Sequence, residues 1–239
     1  MVIDNGMPQA MFADAVASAA PYVDIVKFGW GTALVTEDLE RKIDCLHDHG
    51  IRFSFGGTLF EKFVLQGRFE SFLQVCRYFT SDLVEISNGT IPMEAAEKAT
   101  YIRRCADEFP VVSEVGFKDA RRSEQLSAEQ WINAIHIDLD AGAQLVITEA
   151  RESGKSGMCR SDGTVRDGLI EAILASGVDA DDLLFEAPTK ALQTHFVTLV
   201  GPNVNLGNVA PAEVLALETL RLGLRSDTLV QFEAAQICA

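Results

Sequence analysis

LVITEARESGKSG, Leu145 to Gly157, is the stretch whose reading decides the fold. Leu145, Val146, Ile147 and Thr148 are apolar or β-branched and follow a glycine turn at Gly142, the pattern of a strand buried on both faces in a parallel sheet. Charge then crowds in with Glu149, Arg151, Glu152 and Lys155, interleaved with Ser153, Gly154, Ser156 and Gly157. In α/β proteins the carboxyl ends of parallel strands are where ligands bind. The plainer alternative is a strand running into a polar surface loop. Recurrence of the pattern along the chain favours the first reading.

Working outward, strands are expected at Val2–Asp4, Val23–Phe28, Arg52–Phe55, Leu83–Ile86, Val111–Val115, the quoted stretch, Leu183–Glu186 and Asn203–Leu206. Helical stretches alternate with them: Met11–Ala20, a segment capped by Thr36 and ending near Gly50, a region from Leu59 to Phe79 broken at Gly67, Met93–Glu108, a helix from Ser127 to Ala141, Thr164–Ala175, and one from Pro211 to about Leu222. Strand–helix alternation implies a parallel sheet with helical crossovers, and eight units in 239 residues imply a (β/α)8 TIM barrel. The alternative, a doubly wound open sheet, usually carries a GxGxxG after its first strand, and none stands there. No Pro/Ser-rich linker divides the chain, so residues 1–239 are expected to form a single domain, with 224–239 as a C-terminal tail.

Composition narrows the function. A net charge of −15 argues against nucleic acid or an anionic membrane as partner. It also means that an anionic substrate needs a local basic cluster or a metal ion. No apolar run reaches the length of a membrane span, and the first residues do not read as a signal peptide. The five cysteines are scattered without metal-like spacing, which fits free thiols in a reducing cytoplasm.

Side chains alternate faces along a strand, so parity links the strand ends. Asp4, Lys27, Glu85, Asn88, Glu114, Lys118, Glu149, Arg151, Glu186 and Asn205 are expected at or near one barrel mouth. Buried charge needs a partner or a metal. Glu85, Glu114, Glu149 and Glu186 either pair with Lys27 and Arg151 or hold a cation, and their hard oxygens favour Mg²⁺ over Zn²⁺. Lys118, beside Asp119, Arg121 and Arg122, has the alternative of plain solvated charge. The loop after the quoted strand, with Arg151, Lys155, Arg160 and Arg166, suits an oxyanion.

These residues resemble phosphosulfolactate synthase, the coenzyme M biosynthesis family with bacterial and plant heat-stress-associated relatives. The carriers are YVDIVKFGWGT from Tyr22, GGTLFE from Gly56, VEISNGTI from Val84, SEVGFKD from Ser113, ITEARESG from Ile147, FEAP from Phe185, and GPNVNLGNVAP with LETLRLGLRSDT after it. The resemblance spans nearly the whole chain. It implies a cytoplasmic lyase that adds sulfite to phosphoenolpyruvate with Mg²⁺, with Lys118 at the position of the family's general acid. Phe117 stands where many members carry a second lysine. Lys27 is a second cationic candidate, and Arg151, Ser153, Gly154, Arg166 and Asn205 are candidates for substrate binding. A homo-oligomer is expected. The alternatives are a different nucleophile on the same barrel, or a non-catalytic stress-associated relative.

Overall fold

The computed structural model describes residues 1–231. Strands and helices alternate in it as β1 (Val2–Asp4), α1 (Gln9–Ala19), β2 (Ile25–Phe28), α2 (Leu39–Asp48), β3 (Arg52–Phe55), α3 (Gly57–Leu65), α4 (Phe69–Tyr78), β4 (Val84–Ile86), α5 (Ala95–Ala106), β5 (Val111–Val115), α6 (Ala120–Gln125), α7 (Ala128–Asp140), β6 (Ala143–Thr148), α8 (Asp167–Ala175), β7 (Leu183–Glu186), α9 (Lys190–Val200), β8 (Leu206–Gly207) and α10 (Val214–Arg221). All strand pairs are parallel, in the order β1-β2-β3 and β4-β5-β6-β7-β8. The chain is a (β/α)8 barrel.

Two seams join the ladders. At one, Val209 just beyond β8 pairs with Val2, and the Ile3 N–H donates to the Val209 carbonyl at 3.0 Å. At the other, side chains replace ladder bonds. The Phe53 N–H donates to the Asp82 carboxylate at 2.9 Å, and the Gly57 N–H donates to Glu85 Oε1 at 2.7 Å. These bonds satisfy donors that a strand edge would otherwise leave orphaned.

Period-2 alternation sorts the strand residues into two cores. Outward-facing Val26, Phe28, Phe53, Phe55, Val84, Ile86, Val111, Val115, Val146 and Phe185 pack under the helices. Inward-facing Ile25, Leu83, Val112, Ile147 and Leu184 form a separate apolar cluster inside the barrel. Two residues further along the same five strands stand Lys27, Glu85, Glu114, Glu149 and Glu186, all buried. The barrel interior is therefore an apolar plug with a charged layer directly above it, toward the carboxyl ends of the strands.

Several boundaries differ from the sequence reading, and α6 is not in it. Strand β2 begins at Ile25, because Val23 caps the 3-10 turn over Ala20–Tyr22, its N–H bonded to the Ala20 carbonyl and not to a neighbouring strand. The Leu59–Phe79 region is broken at Gly67 as expected, into α3 and α4 with Gly67 at φ +66° between them, although α3 begins earlier, at Gly57. Strand β8 is only Leu206–Gly207, so Asn203 and Asn205 precede it. Residues 224–231 of the expected tail form turns, anchored where the buried Thr228 hydroxyl donates to the Leu220 carbonyl at 2.8 Å. The rest of the tail lies outside the described residues.

Candidate active site

A cavity of about 180 Å³ opens above the charged layer, lined among others by Lys27, Glu85, Glu114, Lys118, Glu149, Arg151 and Glu186. Parity put seven of the eleven candidate side chains here. A larger cavity of about 480 Å³ lies at the opposite barrel mouth, lined by strand starts and the Met1 end. Barrel chemistry sits at the carboxyl ends of strands, and the buried charge is there too, so the smaller cavity is the candidate site.

Lys27 lies between two carboxylates, with Nζ 3.4 Å from Glu85 Oε2 and 3.6 Å from Glu186 Oε1. Burial alone would pull its pKa down, but Glu85, Glu186 and Glu114 outweigh burial and hold it above the usual lysine value. Lys118 is half-buried, with Nζ 3.2 Å from Thr58 Oγ1. Glu114 chiefly, with Glu149 and Glu186, raises its pKa against the effect of burial. Both lysines are thus ammonium ions at neutral pH.

The glutamates are not equivalent. Glu186 is fully engaged: Oε2 accepts from the Ala150 N–H at 2.9 Å and the Arg151 N–H at 3.1 Å, and Oε1 accepts from the Asn208 amide as well as facing Lys27. Glu114 is buried, which opposes ionisation, but Lys118 and Lys27 prevail and its pKa is lowered. Glu149 goes the other way: burial, then Glu186 and Glu114, push its carboxyl well above the ordinary glutamate value. Glu85 is also raised, by burial, despite Lys27.

Four carboxylates and two ammonium groups leave an excess of negative charge that a proton or a cation must relieve. Glu85 Oε2, Glu114 Oε1 and Glu149 Oε2 are buried without a hydrogen-bond partner. Among the described residues no three His, Cys, Asp or Glu side chains form a ready-made metal cluster. Mg²⁺ does not need one: it keeps several waters and takes one or two carboxylates plus substrate oxygens. The unpartnered oxygens of Glu114 and Glu149 fit that donor set best, because Glu85 and Glu186 are occupied with Lys27.

The backbone around the cavity is unusual. Of the four non-glycine residues with left-handed φ among the described residues, three line the cavity: Trp30 at 55°, Arg151 at 61° and Asn208 at 54°. Such outliers gather at functional sites. Gly157 is demanded by geometry, since a Cβ there would lie 1.6 Å from the Glu149 carbonyl oxygen.

Four candidates fall elsewhere. Arg166 does not line the cavity: it donates to the Ser123, Gly157 and Leu126 carbonyls at 3.1, 3.2 and 3.0 Å and staples the long loop to the α6–α7 turn. Asn205 lies at the opposite mouth, bonded to the Asp181 and Leu183 carbonyls at 3.0 and 3.1 Å, because β8 starts later than expected. Ser153 is exposed and Gly154 packs against Leu192, and neither lines the cavity. Of the wider mouth set, Asp4 is a buried partner of Lys42 at 2.5 Å, and Asn88 caps the Met93 carbonyl at 2.8 Å. Sequence reasoning missed Asn208, Thr58 and buried Glu61, which accepts from Ser87 Oγ at 2.7 Å. The GNV and GGT turns that carry the first two were the available signal.

The (2R)-phospho-3-sulfolactate synthase family matches residues 1–227. The chain belongs to that family. The phosphosulfolactate synthase of Bacillus subtilis is 54% identical over 228 residues, covering 95% of this chain and 90% of that protein. The phosphosulfolactate synthase of Methanocaldococcus jannaschii is 41% identical over 232 residues, covering 95% and 92%. Among solved structures, 3-hexulose-6-phosphate synthase from Salmonella typhimurium superposes with a TM-score of 0.58 at 12% identity, covering 94% of this chain and 98% of that one, which supports the barrel alone. Membership of the phosphosulfolactate synthase family makes the chain an enzyme, so the non-catalytic alternative does not hold. No helix among the described residues is long and apolar enough to cross a membrane.

Proposed function

We propose that the chain adds sulfite to phosphoenolpyruvate, giving (2R)-phospho-3-sulfolactate, with Mg²⁺ as cofactor. The observation that carries this is Lys118: an ammonium group held protonated at the edge of a cavity whose carboxylates call for a cation. Sulfite sulfur bonds to the methylene carbon, the double-bond electrons move toward the substrate carboxylate, and a proton returns to the carbon bearing the phosphate.

Lys118 is the proton donor. Its neighbouring carboxylates keep it protonated before substrate binds, and its Nζ is held 3.2 Å from the Thr58 hydroxyl at the cavity edge. Glu114 and Glu149 would hold Mg²⁺, which supplies electrophilic stabilisation to the charge developing on the substrate carboxylate. Lys27, fixed between Glu85 and Glu186, adds a second positive charge on the cavity floor. Arg151 stands at the rim with its side chain 48% exposed, where a guanidinium fork suits the phosphate. The same reading includes assembly of identical subunits and a cytoplasmic setting, the latter supported by the free thiols among the described residues.

Turnover in D₂O tests the assignment. The product should carry one deuteron on the phosphate-bearing carbon, and Lys118→Ala should slow its formation by about 10²- to 10⁴-fold. An unchanged rate in that variant would remove Lys118 from the chemistry.

A further inference from the structure

The chain has two tryptophans, and they are placed in opposite ways. Trp131 is wholly buried, its ring edge 2.6 Å from where a Cβ on Gly116 would lie. Trp30 is 56% exposed and sits at φ 55°, ψ 19°. Left-handed backbone is costly for a bulky L-residue, and an exposed indole gains little from burial in the fold. Nothing in the packing of the barrel accounts for a large aromatic here. Its position does. Trp30 follows Lys27 by three residues and lines the cavity mouth together with Arg151 and Asn208, the other left-handed residues there. Gly31, next in the chain at φ 70°, continues the same left-handed turn. Gly29 before it is pinned, because a Cβ there would lie 2.4 Å from Asn5 Oδ1. The turn sets Trp30 at the rim.

We infer that Trp30 is a substrate-contacting residue that covers the bound enol phosphate and shields the reacting carbon from water; this rests on the reading of phosphoenolpyruvate as substrate. The cavity floor is charged and its mouth is open, so a bound anion would keep a solvated face. An indole over that face removes water, which strengthens the attraction of Lys27 and Lys118 for the developing negative charge. The ring in turn loses its exposed apolar surface only when the cavity is filled.

Tryptophan emission tests this in the full chain, because acrylamide reaches Trp30 and not buried Trp131. With Mg²⁺ and phosphoenolpyruvate, calorimetry reads binding while acrylamide quenching reads exposure. The expected result is binding with a blue-shifted emission and a loss of quenching, both absent in Trp30→Phe. Trp30→Gly, which the left-handed turn accommodates, should leave Tm unchanged yet lower kcat/KM for phosphoenolpyruvate about tenfold or more, and Trp30→Phe should restore it to within about threefold. Calorimetric binding with unchanged quenching would overturn the inference, as would full activity in Trp30→Gly. Quenching already blocked without substrate, and dependent on protein concentration, would assign the ring to a subunit interface and overturn it too. No calorimetric binding at all would overturn the substrate reading, and this inference with it.

Discussion

Glu149 shows how much one residue's surroundings decide. It stands two residues past Ile147, so the same alternation that buries the isoleucine points the carboxyl into the cavity, toward Glu114 and Glu186. Burial and those two neighbours keep its proton on in the folded chain well above the ordinary glutamate value of 4.5. The folded state therefore binds more protons than the unfolded one above pH 4.5. Stability from this source is complete below that pH and is lost as pH rises through the raised folded value. In EDTA, Tm of the wild type should fall across that rise, and Glu149→Gln should flatten the fall. Identical pH profiles for the two proteins would show that the carboxyl is ionised throughout. At this scale strand parity was right for Lys27, Glu85, Glu114, Glu149 and Glu186, which arrive where alternation sends them, and failed for Asn205, whose strand starts later, and for Asp4, which turns to Lys42. The sequence was unreadable where a residue's role depends on a loop's path. Arg166 looked like an anion ligand from composition, but loop closure brings it to three carbonyls first.

Between elements, buried ion pairs lock helices to strand ends. Strand β5 extends two residues beyond its pairing with β4, which ends at Ile86↔Ser113. On that side the Glu114 carbonyl has no strand donor, and Lys98 of α5 supplies one at 2.8 Å. Lys98 is 2.6 Å from Asp138 of α7, with the two side chains 2% and 0% exposed. Breaking a buried pair leaves an uncompensated charge, so Lys98→Met should cost about 3–5 kcal/mol of unfolding free energy by chemical denaturation. A loss no larger than an ordinary surface substitution would mean that water reaches Asp138. This pair was not legible in the sequence, because its members lie on different helices with no local spacing to link them. The displaced start of β8 has a similar origin. Two asparagines before Leu206 looked extended, but only Leu206–Gly207 pairs with β7, while the Asn205 carbonyl accepts the Phe185 N–H at 2.9 Å and its side chain bonds back to the Asp181 and Leu183 carbonyls.

Across the whole molecule, the strand–helix alternation was enough to give the barrel, while the joining of β3 to β4 through Asp82 and Glu85 needed coordinates. The net charge of −15 has a kinetic consequence. Both proposed substrates are anions and the protein's long-range field repels them, so screening should help their approach. We expect kcat/KM for phosphoenolpyruvate to rise with moderate ionic strength before specific ion competition sets in. A monotonic fall from the lowest salt would show that the rim cations Arg151 and Lys118 dominate the field that the substrate meets.

Turnover of phosphoenolpyruvate with sulfite and Mg²⁺, with the product identified by mass spectrometry against controls lacking sulfite or metal, tests the central claim most directly. The predicted result is phosphosulfolactate in the complete mixture and none in either control. Tight binding of phosphoenolpyruvate with no sulfonated product would contradict the proposed reaction and point to another nucleophile at the same carbon.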